Sequence, residues 1–279
     1  MVRTYCIIGD PISHSLSPGM QNAAFAELGL NCTYISFKVA PGELREAIES
    51  LRAIHIAGFN VTVPHKVDVM QFLDELDPTS KKAAAVNTVN NIEGVLKGYN
   101  TDIQGFIEPL EKRHIDLDGL QVLLLGAGGA ARAVVAALSE DAEIERLVIA
   151  NRHIERGREL ASIASGLGLR SETIPLKDAP TVSPNSDLIV NATTIGMNNE
   201  PSIIDHEHIK KGSIVYDLIY RPVSTSLIEN AKYAQATVVY GYEMLIEQGA
   251  KAFEIWTGIP APRDAMKRSL LGVFGEPAA

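Results

Sequence analysis

Residues 121 to 132, Gln-Val-Leu-Leu-Leu-Gly-Ala-Gly-Gly-Ala-Ala-Arg, leave few folds open to this chain. Val122 to Leu125 is an apolar run too short for a membrane span and suited to a strand buried on both faces. It runs into Gly126, Gly128 and Gly129, then restarts as a helical pattern from Ala130 to Leu138. A parallel strand that breaks at glycines and resumes as a helix leaves backbone N–H groups free at the helix N-terminus, where an anion can sit. Glycines there permit the tight turn and the close approach of a pyrophosphate. A glycine loop alone is not specific, so its surroundings must support it.

The strand rhythm around it does. Arg146 to Ala150, Leu188 to Val190, Ile214 to Leu218 and Val238 to Tyr240 read as further strands, the pattern of a doubly wound Rossmann-type fold. The first hundred residues alternate in the same way. Val2 to Ile8, Cys32 to Val39 and Gly58 to Val63 read as strands. Helical patterns follow at Pro18 to Gly29 (Met20, Ala23, Ala24, Leu28), Pro41 to Leu51, and Val67 to Leu76. Val86 to Ile92 and Val95 to Tyr99 flank a hairpin turn at Glu93-Gly94. Pro109 is expected to kink or shorten a helix that begins near Thr101. Helices over Glu243 to Trp256 and Arg263 to Val273 close the chain. The reading is α/β: an N-terminal α/β substrate domain plus a doubly wound dinucleotide-binding domain. The expected division is 1–101 with 242–279, and 102–241.

Composition narrows the function. The chain has 279 residues, ample for two domains, and a net charge of −9, which argues against nucleic-acid or anionic-membrane surfaces. An anionic substrate must therefore be caught by local groups. Cys6 and Cys32 lie in strand-like segments without metal-type spacing and read as buried free thiols of a reducing compartment. No window reaches membrane length and no signal peptide is recognisable, so a cytoplasmic protein is expected. No metal site is expected.

The second strand of the doubly wound part ends in Asn151-Arg152-His153, with Arg156 and Arg158 just beyond and no acid at the tip. An acid there would bond a ribose 2′-hydroxyl, whereas arginine pairs with a 2′-phosphate. NADP is favoured over NAD. A solvated basic helix start is the plainer reading, but arginine in a first turn opposes the helix dipole, which favours a ligand role for Arg152. Arg156 fits either reading, and Arg158 fits solvation.

Several polar residues elsewhere each allow a bland account. Lys66 follows Pro64-His65 between a strand and a helix, where a cation is in an unfavourable field; a surface lysine is the default. Asp102 can be a helix cap. Thr62 can be an ordinary strand residue, and Ser15 and Ser17 turn residues. Gln248 falls on the apolar face of its helix, so its amide needs a partner, protein or ligand.

As a set they carry a resemblance. Ser13-His-Ser-Leu-Ser-Pro18, Gly58-Phe-Asn-Val-Thr-Val-Pro-His-Lys66, Ala85-Val-Asn-Thr88 and Gly98-Tyr-Asn-Thr-Asp102 come first. Gly126-Ala-Gly-Gly-Ala-Ala-Arg132, Asn151-Arg152, Asn191-Ala-Thr-Thr-Ile-Gly196, Asp217-Leu-Ile-Tyr220 and Gly241-Tyr-Glu-Met-Leu-Ile-Glu-Gln-Gly249 follow. In this order they resemble the shikimate dehydrogenase family over essentially the whole chain. The resemblance implies reversible, NADPH-dependent reduction of 3-dehydroshikimate to shikimate in aromatic amino acid biosynthesis, with a monomer or homodimer as the active form. It implies Lys66 and Asp102 as the catalytic pair, and Ser15, Ser17, Thr62, Asn87, Tyr220 and Gln248 as substrate-binding residues. It implies Gly126, Ala127, Gly128, Gly129, Ala130, Asn151, Arg152, Arg156, Thr193, Leu218 and Gly241 as cofactor-binding residues.

Two positions depart from the family pattern. His153 stands where relatives commonly carry threonine or serine, and Tyr242 where they carry a smaller or aliphatic residue, expected near the nicotinamide. His206 and His208 lack helical metal spacing and are expected to face solvent; His14 and His65 are expected to shape loops. The rival readings are a quinate/shikimate dehydrogenase using NAD, another NADP reductase of similar plan, and a catalytically silent NADP sensor. The arginine after Asn151 argues against the first, the Ser-x-Ser loop with Lys66 and Asp102 against the second, and retention of both Lys66 and Asp102 against the third.

Overall fold

A computed structural model describes residues 2–141 and 143–275. The chain opens with β1 (Arg3–Gly9), α1 (Ser17–Glu27), β2 (Cys32–Lys38), α2 (Leu44–Ala53), β3 (Gly58–Val61) and β4 (Glu75–Leu76). Next come α3 (Pro78–Ala83), β5 (Thr88–Ile92), β6 (Val95–Tyr99) and α4 (Asp102–Glu111). The doubly wound part is β7 (Gln121–Leu125), α5 (Gly129–Asp141), β8 (Arg146–Asn151), α6 (Ile154–Gly166), β9 (Ser171–Pro175), α7 (Ala179–Val182) and β10 (Leu188–Asn191). It continues through β11 (Ile214–Asp217), α8 (Ser226–Tyr233) and β12 (Thr237–Tyr240), and α9 (Gly241–Thr257) and α10 (Arg263–Phe274) end the chain. Two compact units result, Met1–Gly105 with Leu245–Ala279, and Phe106–Met244.

The first unit is built on a six-stranded sheet in the order β2-β1-β3-β5-β6-β4. β2, β1 and β3 are parallel, and β5 runs antiparallel between β3 and β6. The carboxyl ends of β1, β3 and β6 and the start of β5 therefore lie along one edge of the sheet. Glu93 and Gly94 both have positive φ, 53° and 91°, as a two-residue hairpin between β5 and β6 requires. Cys6, Ile8, Phe59, Val61, Val89 and Leu96 pack one face of the sheet against Ile48 and Leu51 of α2. Each such fully buried aliphatic side chain contributes about 1.5–3 kcal/mol over its exposed state. β2 is an edge strand, and Asn22 of α1 closes it at Tyr34. The Asn22 amide donates to the Tyr34 carbonyl and accepts its N–H, both at 2.8 Å, as a neighbouring strand would.

Some local expectations are shifted by packing. The apolar stripe from Val67 to Leu76 forms a short 3-10 turn over Asp68–Phe72 and then β4, with Val69 buried and Val67 exposed. On α1 the buried positions are Ser17, Met20, Gln21, Ala24 and Phe25, while Leu28, just past its end, is exposed. Pro109 is followed by only two more residues of α4. Cys6 is buried, its thiol pushed up to about 12 by burial, whereas Cys32 is only half-buried; both are free.

The second unit holds a six-stranded, all-parallel sheet in the order β12-β11-β10-β7-β8-β9. Renumbered from β7, this is the 3-2-1-4-5-6 order of a doubly wound dinucleotide fold, with its switch point between β7 and β10. Leu123, Leu125, Val148, Ala150, Ile189 and Val215 form the centre of its core. On α5, Ala131 and every residue from Ala133 to Leu138 are buried, so small side chains let the helix sit close on the strands. No described helix is long and apolar enough to cross a membrane.

Candidate active site and dinucleotide site

In the first unit the edge formed by the carboxyl ends of β1, β3 and β6 gathers the polar residues singled out above. After β3 the chain turns through Thr62 to Lys66. The His65 N–H donates to the Thr62 carbonyl at 3.0 Å, and the buried His65 ring holds the Val39 carbonyl at 2.7 Å through Nε2. The Lys66 carbonyl accepts the Val86 N–H at 2.7 Å, which fixes this turn against the start of β5. After β6, Asn100 bonds its own chain two residues on, its Oδ1 accepting the Asp102 N–H at 3.1 Å, while its Nδ2 donates to the Ala85 carbonyl at 2.9 Å. The two turns bring residues 36 positions apart into contact. Lys66 Nζ donates to Asp102 Oδ2 at 2.5 Å, with the side chains only 14% and 6% exposed.

Asp102 is held from its other oxygen as well. Asn87 Nδ2 donates to Asp102 Oδ1 at 2.8 Å, and to Thr101 Oγ1 at 2.9 Å and Gln248 Oε1 at 3.4 Å. Gln248 Nε2 donates in turn to the Leu245 carbonyl of its own helix at 3.0 Å, so the amide on the apolar face of α9 has its partners. A buried ion pair is worth little net stability because both charges are desolvated, and its survival depends on such added donors. Lys66, Asn87, Asp102 and Gln248 thus form one connected group. Ser15 stands on the loop after β1 and Ser17 opens α1, where the Ser17 N–H donates to Ser15 Oγ at 3.3 Å. Thr62 follows β3, its methyl so close to Gly9 that any Cβ there would meet it at 2.4 Å.

Thr101, Asn60 and Thr88 join the group although no role follows for them from the sequence. Their partners are set by strand register, which pairs Asn60 with Thr88 and Thr88 with Tyr99. All three do lie inside the quoted motifs, which was the available signal.

In the second unit the switch-point turn is built from backbone. Gly126 has φ +105°, and a Cβ on it would meet the Ala192 carbonyl at 2.8 Å and Thr193 Cγ2 at 3.2 Å. Only glycine fits there. Ala127 and Gly128 lead into α5, which begins at Gly129 and Ala130, and Gly128 has nothing within 4 Å of its Cβ position. Free N–H groups at that helix start suit a pyrophosphate. On the β10 side Asn191 accepts from the Thr193 N–H at 3.1 Å and the Thr193 hydroxyl at 2.7 Å, and donates to Asp217 Oδ1 at 2.9 Å. Asp217 is fully buried, and burial raises its carboxyl; it also accepts from Thr225 Oγ1 and the Ile219 N–H. A Cβ on Gly241 would meet the Ile219 carbonyl at 2.5 Å and the carbonyl carbon of Leu218 at 2.6 Å, so these two backbones are in direct contact.

At the end of β8, Asn151 Nδ2 donates to the His153 carbonyl at 2.8 Å. Arg152 and Arg156 are exposed and their side chains have no hydrogen bond or ion pair among the described residues, whereas Arg158 pairs with Glu155 at 2.7 Å. Two free cations, with no acid at the strand tip, fit a phosphate better than a hydroxyl. Tyr220 belongs to this unit, and burial raises its phenol. Tyr242 stacks on Tyr240 with ring centroids 5.6 Å apart. His206 and His208 do not face solvent as expected: both are half-buried, and His206 packs edge-on against Tyr233. No group of metal-ligating side chains occurs among the described residues.

A switch-point glycine turn in one unit and a hydrogen-bonded lysine–aspartate pair in the other define a dinucleotide-dependent oxidoreductase of two-unit plan. The family follows from likeness along the whole chain. Models of the shikimate dehydrogenase substrate binding domain, of shikimate/quinate 5-dehydrogenase and of the shikimate 5′-dehydrogenase C-terminal domain match residues 7–89, 109–217 and 241–271. Shikimate dehydrogenase (NADP+) of Nitrosopumilus maritimus is 48% identical over 274 residues, 98% of this chain and 100% of that one. The Bacillus cereus enzyme of the same name is 42% identical over 278 residues, 99% of this chain and 100% of its own. Thermus thermophilus shikimate 5-dehydrogenase, solved with NADP(H) and shikimate, superimposes with a TM-score of 0.85 at 35% identity, covering 96% of this chain and 98% of that one. The chain belongs to the shikimate dehydrogenase family.

Proposed function

We propose that the chain catalyses the reversible reduction of 3-dehydroshikimate to shikimate with NADPH, in the chorismate route to aromatic amino acids. The observation that carries this is the buried Lys66–Asp102 pair, braced by Asn87 and Gln248. Residues 1–101 with 242–279 form the substrate domain and 102–241 the NADP-binding domain. When bound, NADP exchanges a hydride with the ring carbon.

The chain's own residues handle the oxygen and the ring. Lys66 and Asp102 hold and move the proton of the reacting C3 oxygen as one coupled unit. Ser15, Ser17 and Thr62 donate to the substrate carboxylate, and Asn87, Tyr220 and Gln248 orient the ring hydroxyls. Neutral donors suit a chain of net charge −9, because the carboxylate is met by local hydroxyls without a basic surface. Gly126, Ala127, Gly128, Gly129 and Ala130 bind the pyrophosphate. Arg152 and Arg156 pair with the 2′-phosphate beside Asn151, and Thr193, Leu218 and Gly241 line the nicotinamide end. The protein works in the cytoplasm as a monomer or homodimer, which light scattering distinguishes.

The test is a steady-state assay with shikimate and with quinate, each with NADP and with NAD. Shikimate with NADP is expected to give the highest kcat/KM. No oxidation of shikimate with either cofactor overturns the reading.

A further inference from the structure

A chain of hydrogen bonds runs from the core of the first unit to the Lys66–Asp102 pair. Tyr34, buried at the sheet edge, donates its phenol proton to Asn60 Oδ1 at 2.6 Å. Asn60 Nδ2 donates to the Asn87 carbonyl at 3.0 Å and to Thr88 Oγ1 at 2.9 Å. Thr88 Oγ1 donates to Asn87 Oδ1 at 3.0 Å, and Asn87 Nδ2 donates to Asp102 Oδ1 at 2.8 Å.

The orientation of both amides in this chain is fixed, because backbone groups that cannot turn over anchor it at two places. The Asn87 carbonyl can only accept, so the Asn60 amide must present Nδ2 to it and Oδ1 to Tyr34. The Thr101 N–H can only donate, at 2.8 Å, so Asn87 must present Oδ1 to it and Nδ2 to Asp102. Thr88 lies between the two anchors. It receives the Asn60 proton, and its own single proton reaches Asn87 Oδ1 either directly at 3.0 Å or by way of Thr101 Oγ1, 3.2 Å from both Thr88 Oγ1 and Asn87 Oδ1. Tyr34, Asn60, Asn87, Thr88 and Asp102 are all buried, so a missing donor cannot be replaced readily by water.

We propose that Thr88 is a positioning residue for the reaction, its hydroxyl coupling the Tyr34–Asn60 end of the chain to the Asn87 amide that holds Asp102 toward Lys66. Thr88 touches neither of the paired charges and acts through Asn87. The inference rests on the reading of Lys66 and Asp102 as the proton-handling pair.

Thr88→Val keeps the shape and removes the hydroxyl, whereas Thr88→Ser keeps the hydroxyl and removes the methyl. The valine variant is expected to lower kcat for shikimate about tenfold, a barrier change of about 1.4 kcal/mol. It is also expected to displace the pH profile of kcat by about half a unit or more, the response of a loosened charge pair. The NADP KM stays unchanged, and serine recovers most of both effects. Equal losses in the serine and valine variants mean that the methyl packing matters and overturn the proposal, as does a valine variant with wild-type kcat and pH profile. If Thr88→Val does not fold, Tyr34→Phe is read instead, with a smaller loss of kcat and a displaced profile expected; an undisplaced profile overturns the proposal. Lys66→Ala is assayed in parallel. Full turnover in that variant defeats the underlying reading, whereas its loss beside an unaffected Thr88→Val defeats the positioning role alone.

Discussion

In the unit that carries Lys66, the central functional groups are side chains held largely by other side chains, and Lys66, Asn87, Asp102 and Gln248 each have a partner inside the protein before any substrate arrives. In the unit that carries Gly126, the candidate groups are mostly backbone N–H groups around a glycine turn, together with two arginines whose side chains have no partner among the described residues. The difference follows from the two tasks. A proton must be moved at a defined atom, which demands charges whose geometry is set in advance. A long dinucleotide polyanion is instead held by many contacts, for which an open helix N-terminus and free cations suffice. The contrast predicts that substitutions in the first unit act on turnover and those in the second on cofactor affinity.

Lys66→Ala is the sharpest attempt to break that contrast. Removing a positioned proton-handling group costs roughly 10²–10⁴-fold in rate, so kcat is expected to fall into that range while the NADP dissociation constant barely moves. The substitution also leaves the Asp102 charge buried with Asn87 as its remaining side-chain donor, a loss of about 3–5 kcal/mol where such a pair is broken. Rates must therefore be normalised to folded protein by circular dichroism. An equal loss of NADP affinity would erase the distinction between the units.

Gly126→Ala tests the other side. A Cβ would lie 2.8 Å from the Ala192 carbonyl, on a backbone at φ +105° that L side chains rarely adopt. The expected cost is about 1–3 kcal/mol from the dihedral alone, plus the clash. NADP binding, measured by fluorescence titration, is expected to weaken at least about tenfold, each tenfold being about 1.4 kcal/mol. Unchanged affinity would show that the turn does not meet the cofactor.

Arg152→Ala has a narrower target. A charge-assisted bond contributes about 1.5–3 kcal/mol, so NADP affinity is expected to fall about ten- to a hundredfold, with NAD affinity nearly constant. Similar weakening of both cofactors would remove Arg152 from the 2′-phosphate. Arg152 is exposed and unpaired among the described residues, so its removal breaks no internal contact that could produce the same loss.

The same contrast explains what the sequence allowed to be read. The doubly wound strand order was legible because each buried parallel strand is a continuous apolar run, and Gly126 was legible because no other residue fits its dihedral. Lys66 and Asp102 stand out as motif members, but their contact does not, since a separation of 36 positions hides it. The bracing by Asn87 and Thr88 depends on the register Asn60↔Thr88, which no local pattern encodes. The Val67 to Leu76 stripe misleads for a related reason. Apolar residues three apart serve a 3-10 turn as well as a helix, and the pairing of Glu75 and Leu76 with β6 decides the matter. His206 escapes a local reading because its neighbour, Tyr233, comes from the distant helix α8.

The smallest effect is expected at Asp217, a place where the second unit resembles the first. Its carboxyl is fully buried and accepts from Asn191, Thr225 and the Ile219 N–H, yet burial outweighs these donors and raises its pKa. A group whose folded-state pKa is raised adds stability while protonated, and that contribution is lost as pH rises through the folded value. Above that window the charged form is carried at a cost. Asp217→Asn keeps an acceptor for Asn191 and the Ile219 N–H and can donate to Thr225, but does not ionise. The melting temperature of the wild type relative to Asp217→Asn is therefore expected to fall as pH rises from below 3.8 through the raised pKa. Glu200 has the opposite sign, its carboxyl held down to about 2 by Asn198 and Gly196, and it cancels because both proteins share it. Differential scanning calorimetry of the two proteins across that range reads the difference directly. A flat difference would mean that the donors offset burial, and a rising one that Asp217 is stabilised as a carboxylate after all; the second unit would then hold a preset charge of the kind that otherwise distinguishes the first.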